Sequence, residues 1–139
     1  MDEKTLELFN DSFEYCLAKE SFLPRFYELF LASSAEIRQK FMNTDIHRQS
    51  RILKKSLYVL TMATVGTEEA RNELLRLGKS HGLQGMNIPE YMYDLWLDCL
   101  VQTVREFQTD WTPETEASWR EMLNPHIEIL KSFIRQDSK

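Results

Sequence analysis

The chain has 139 residues, enough for one domain, since a single hydrophobic core usually serves about 100 to 200 residues. Hydrophobic residues make up 42% and charged residues 28%, near the globular average, which excludes a largely disordered chain and a membrane-embedded one. The formal charge is −5, and no stretch concentrates Lys and Arg beyond what a solvated helix face carries, so a nucleic-acid partner is not expected.

The four Gly and four Pro come to about 6% of the residues against roughly 12% in average usage, and so few turn formers predict few, long elements. The first predicted helix runs from Thr5 to Lys19, with Leu6, Phe9, Phe13, Cys16 and Leu17 spaced by threes and fours and Glu7, Asn10, Asp11 and Glu14 opposite. Pro24 marks the first turn of a second helix, and Phe26, Tyr27, Leu29, Phe30 and Leu31 make that helix apolar on more than one side. Ser33 with Glu36 has the form of a capping box, predicting a short third helix toward Phe41. After the polar corner Asn43-Thr44-Asp45, Thr44 or Asp45 caps a fourth helix. There Gln49, Ile52, Leu53, Ser56, Leu57 and Leu60 share one face, and Arg48, Arg51, Lys54 and Lys55 mostly occupy the other.

Gly66-Thr67-Glu68-Glu69 reads as a stop, a cap and two acids at the start of the next helix, which carries Leu74, Leu75 and Leu77 up to His81. An irregular stretch from Gly82 to Asn87 follows. Pro89 opens a helix through Tyr93, Trp96, Leu97, Leu100, Val101 and Val104 to about Phe107. Thr112-Pro113-Glu114 repeats the cap-then-proline pattern for a last helix that buries Trp119, Met122, Leu123, Ile127 and Leu130, with a kink expected at Pro125. The fold class is therefore all-α, about six to seven helices in one domain over residues 1–139. Cys16 and Cys99 both fall inside apolar helical patterns and read as buried free thiols. No run approaches the roughly 20 apolar residues that cross a bilayer, and the acidic start MDEKTLELF is unlike a signal peptide, so a cytoplasmic protein without a membrane partner is expected.

The residue that best carries chemistry is His81. It ends a helix one turn after Leu77, and Gly78, Gly82 and Gly85 surround it, allowing the backbone to pass close to a bulky, flat group. An imidazole so placed can ligate a haem iron, although the helix dipole alone also favours a histidine at a helix C-terminus.

The order of residues around it adds to that reading. The string FYELFLASSAEIRQKF from Phe26, followed by TDIHRQSRIL from Thr44, resembles bacterial single-domain haemoglobins and the globin domain of flavohaemoglobins. The resemblance covers nearly the whole chain and implies a globin fold around a haem pocket. It sets Tyr27 at the family's distal tyrosine, Phe41 at the phenylalanine packing on the haem, Gln49 at the distal glutamine and Leu53 one turn beyond. His81 falls at the proximal histidine, and Leu77, Ser80, Met86 and Trp96 fall among the residues around the haem. Tyr93 matches a proximal-side tyrosine, with Tyr91 a competitor for that place, and Trp119 matches the tryptophan opening the last helix.

From the resemblance follow haem b as cofactor, a diatomic gas (oxygen, nitric oxide or carbon monoxide) as ligand, and oxygen transport, storage or delivery as the expected function. Nitric oxide dioxygenase-type chemistry with an external reductase and haem-based gas sensing through a partner are the alternatives. Two departures bear on the enzymatic reading. The region from Ser132 to Ile134 offers no counterpart of the glutamate with which flavohaemoglobins polarise the proximal side, and the flavin and nicotinamide domains are absent from these residues, so a reductase is expected to be a separate protein. Lys79, Arg51, Lys54 and Lys55 are candidate partners for the haem propionates, and His47 is a lesser candidate for a sixth iron ligand.

Overall fold

The computed structural model describes residues 2–64, 68, 72 and 89–137. Over them the chain is all-α, with helices α1 (Glu3–Leu17), α2 (Phe22–Ala32), α3 (Ala35–Lys40), α4 (Ile46–Thr64), α5 (Glu90–Phe107) and α6 (Pro113–Asp137). The stop at Gly66, the helix bearing Leu74, Leu75 and Leu77, and the glycines around His81 lie outside the described residues.

Local chemistry explains most boundaries. Asp2 caps α1 by accepting the Thr5 N–H at 2.7 Å, and Asp45 caps α4 by accepting from the His47 and Arg48 N–H groups at 3.0 and 3.3 Å. Thr112 does the same for α6, its hydroxyl accepting the Thr115 N–H at 3.3 Å, and Pro113 takes the first helical position. At α3 the cap is Ser34, where Ser33 was expected. Ser34 has the extended backbone a cap requires and its hydroxyl accepts from the Glu36 and Ile37 N–H groups. Ser33 is helical, and its hydroxyl turns back to the Phe30 carbonyl at 2.6 Å, closing α2. Pro89 stands one residue before α5, as its cap. Helix α6 runs on through Pro125, which has no N–H to offer the Glu121 carbonyl one turn earlier.

Helix α1 packs on α6, α2 on α5 and α4, and α5 on α6. The seam is one continuous core containing Phe9, Phe13 and Cys16 of α1, Phe22, Phe26 and Phe30 of α2, Leu57 of α4, Leu97 and Leu100 of α5, and Trp119 and Leu123 of α6. Fully burying each such side chain is worth about 1.5–3 kcal/mol. Within α4 one expectation fails: Ile52 is 45% exposed, because Leu53 and Leu57 point at α2 and Ile52 precedes Leu53 by 100° of helix turn. Both cysteines are free thiols, and burial pushes the Cys16 thiol up to about 11, which keeps it protonated and inert.

Where α1, α6 and the corner between α5 and α6 meet, the core holds a polar knot. The Trp119 indole N–H donates to the Ser12 hydroxyl at 2.8 Å. Ser12 donates onward to the Gln108 side-chain oxygen, and the Gln108 amide donates to Asp110 at 3.2 Å. Ser12 and Trp119 are both essentially inaccessible, so neither polar atom has water as a substitute. Ser12→Ala strands the indole N–H, and the expected loss is about 1–3 kcal/mol of unfolding free energy in urea titration. Trp119→Phe in the Ser12→Ala background is expected to recover part of that loss.

Candidate functional site

The distal residues identified in the sequence come together where α2 crosses α4. Tyr27 is 3% exposed, with its ring 5.0 Å from Phe26 and 6.5 Å from Phe41. Phe30 meets Phe41 at 6.0 Å, and Phe26 meets Trp96 of α5 at 6.0 Å. Leu53 and Leu57 close this cluster from α4. Helix α2 is apolar around most of its circumference because it faces α3, α4 and α5 at once.

The Tyr27 hydroxyl donates to the main-chain carbonyl of Gln49 at 3.4 Å, near the outer limit for a hydrogen bond. Burial, partly offset by a hydrogen bond from the Gln49 side chain, raises its pKa well above the ordinary tyrosine value, so it is a neutral donor. Gln49 is partly buried and meets Tyr27 through both its main-chain carbonyl and its side chain. Next to it, the Ser50 hydroxyl oxygen is buried with no hydrogen-bond partner among the described residues.

On α5 the two competing tyrosines separate cleanly. Tyr91 is 43% exposed and its hydroxyl donates to the Glu36 carboxylate, which raises its pKa. Tyr93 is 7% exposed and lies in the core, where burial raises its pKa. Tyr93 is thus the inward tyrosine. Trp96 is partly buried against the same core. Leu77, Ser80, His81, Met86 and Lys79 lie outside the described residues. His47, Arg51, Lys54 and Lys55 are all exposed, Arg51 and Lys55 on the side of α4 away from Leu53 and Leu57, His47 and Lys54 nearer its edge.

Two pairings had no sequence signal because their members are far apart in the chain. Arg25 of α2 holds Glu106 of α5 with two parallel bonds, 2.8 and 3.2 Å, and Lys131 of α6, almost buried, reaches Asp94 of α5 at 2.8 Å. His126 is buried as well, and burial lowers its pKa, so it is held neutral inside α6.

An all-helical fold in which aromatic rings of α2 are closed over by α4 and α5 is shared with a haemoglobin-like protein of known structure. A family model described as Globin matches residues 24–128, and the chain belongs to the globin family. The chain is similar to a Pseudomonas aeruginosa protein whose crystal structure is described as structurally highly homologous to a human haemoglobin. The two are 35% identical with a TM-score of 0.88, over 94% of this chain and 98% of that one. Comparison with curated proteins found no match. Among the described residues no helix is long and apolar enough to cross a membrane.

The burial of Tyr27 and Tyr93 has a measurable consequence. With folded pKa values above the ordinary tyrosine value of about 10, the native state keeps two protons that the unfolded chain releases. Their contribution to stability is complete below pH ~10 and is lost as pH rises toward the folded values. Tyrosinate absorbance is expected to show two groups titrating late or only on unfolding, one of them missing in Tyr27→Phe and the other in Tyr93→Phe.

Proposed function

We propose that residues 1–139 form a single globin domain that acts in the cytoplasm as a reversible carrier of oxygen or another diatomic gas, with haem b held through His81. The observation that carries this reading is the Tyr27 hydroxyl. It is enclosed by Phe26, Phe41 and the α4 leucines, and among the described residues it meets only Gln49, by a long bond to the carbonyl and by a contact with the side chain. Ser50, the next residue, adds a buried oxygen with no partner among the described residues. Apolar rings with a polar donor among them fit a flat, mostly apolar cofactor whose ligand accepts a hydrogen bond.

When bound, haem supplies an iron centre to which a diatomic gas attaches. The chain's own parts in this reading are distinct. His81 would hold the iron through an imidazole nitrogen, and Leu77, Ser80 and Met86, with Tyr93 and Trp96 of α5, would line the rest of the haem site. Phe41 and Leu53 exclude water from the distal side. The Tyr27 hydroxyl, neutral at working pH, turns its proton from the Gln49 carbonyl toward charge developing on the ligand, and the Gln49 amide is a second donor.

Two substitutions test the reading. His81→Ala is expected to abolish stoichiometric haem uptake, read as loss of the Soret band; an unaltered spectrum would refute the proximal assignment. Tyr27→Phe removes one net hydrogen bond, worth about 0.5–1.5 kcal/mol, and is expected to speed oxygen dissociation about two- to tenfold in stopped-flow displacement. An unchanged rate removes Tyr27 from the distal role while leaving haem binding intact.

A further inference from the structure

Helix α4 is charged unlike the rest of the molecule. Its 19 residues hold Arg48, Arg51, Lys54 and Lys55 and no carboxylate, in a chain whose net charge is −5. At 3.6 residues per turn these four and His47 fill one unbroken arc, roughly a third of the circumference, whose middle faces away from the buried Leu53 and Leu57. All five are exposed. On the other helices Arg25 pairs with Glu28 and Glu106, Arg120 with Asp98 and Glu116, and Lys131 with Asp94 and Glu128, while Lys4, Lys19, Arg38, Lys40 and Arg105 form no ion pair among the described residues. Among the described residues none of the α4 cations has such a partner, and like charges one turn apart repel.

Apolar groups are interleaved with the charges. Tyr58, 46% exposed, lies in the middle of the cationic arc, Ile52 at 45% flanks it, and Met42 at 70% stands at the corner before the helix. Tyrosine, methionine and arginine together are the composition of a protein–protein contact.

We infer that this outer face of α4 docks an acidic segment of another protein. A second copy of this chain is a poor occupant. Two-fold pairing sets cation on cation, and a head-to-tail contact with the exposed acids of α1, such as Glu7, Asp11 and Glu14, would need a rotation that closes a ring to avoid open filaments. An extended polyanion, whether a duplex or an anionic bilayer, reaches beyond α4 to the remaining surface, which is more negative than the chain as a whole. A short acidic segment stays within the arc, and with a screening length of about 8 Å it feels α4 rather than the rest. Because Arg51, Lys54 and Lys55 are also candidate partners for haem propionates, the haem absorbance of each variant is read alongside its peptide affinity, which separates the two roles.

The test titrates the purified chain with a synthetic peptide of alternating Glu and Leu, and in parallel with vesicles of phosphatidylserine in phosphatidylcholine and with a DNA duplex, following backbone amide NMR shifts. The expected result is peptide binding with shifts confined to α4 and the 42–45 corner, weakening as salt rises. The combined Arg51→Glu, Lys54→Glu, Lys55→Glu variant is expected to lose about tenfold or more in affinity. If that variant does not fold, Arg51→Gln, Lys54→Gln, Lys55→Gln serves instead, checked for an unchanged melting temperature, and the expected direction is the same. No peptide binding, undiminished binding by the variant, or vesicles or duplex bound as tightly as the peptide would overturn the proposal.

Discussion

Phe26 lies at the middle of α2 with no accessible surface, its ring within 5.0 to 6.0 Å of the rings of Tyr27, Phe30 and Trp96. Two of these neighbours share its helix and the third is on α5, so one side chain sets both the spacing of α2 from α5 and the direction of Tyr27. Aromatic pairs of this kind add about 0.5–1.5 kcal/mol each beyond the area they bury, and they favour a few ring orientations over a continuum. Tyr27 is therefore held by packing on its ring, while its hydroxyl meets Gln49 by a long 3.4 Å bond to the carbonyl and by a contact with the side chain.

The polar contacts serve the frame around that cluster. The Trp119–Ser12–Gln108 chain joins α1, the α5–α6 corner and α6. It is directional where the surrounding contacts of Phe9 and Phe13 with Trp119 are not. Arg25 and Glu106 tie α2 to α5 at the surface, where an ion pair adds little to stability but its forked geometry limits sliding. Both lie away from Tyr27, so the polar groups that fix the helices do not compete for its hydroxyl.

Much of this was legible in the chain because helical burial is periodic. The stripes of α1, α2, α5 and α6 appear where threes and fours of apolar residues predict them, and Asp45 and Thr112 cap where their side chains can accept. What was not legible depends on neighbours distant in sequence. Ser33 and Ser34 are chemically alike, and only the backbone turn after Ala32 decides that Ser34 is extended and caps α3. Tyr91 and Tyr93 sit on nearly opposite sides of one helix, so just one can be buried, and the choice rests on Glu36, 55 residues away, receiving Tyr91. Gln49 meets Tyr27 through its side chain and also through its carbonyl, and the second contact, which any residue type offers, leaves no mark in the sequence.

Helix α4 shows most clearly where obligation to the fold ends. Its inner stripe, Leu53 and Leu57, closes the core over Tyr27, and polar substitutions there would open the cluster to water. Its first turn is set by Asp45, which is outside the helix. Nothing in the fold then requires Arg48, Arg51, Lys54 and Lys55 to be cations, since none of them forms an ion pair among the described residues, and mixed charges at those positions would lessen repulsion along the helix. Tyr58 links this face to the core, its half-exposed ring meeting Phe13 of α1 edge-on at 5.1 Å, while the cations around it are uniform in sign and form no ion pair among the described residues, so their charge is set by something other than packing.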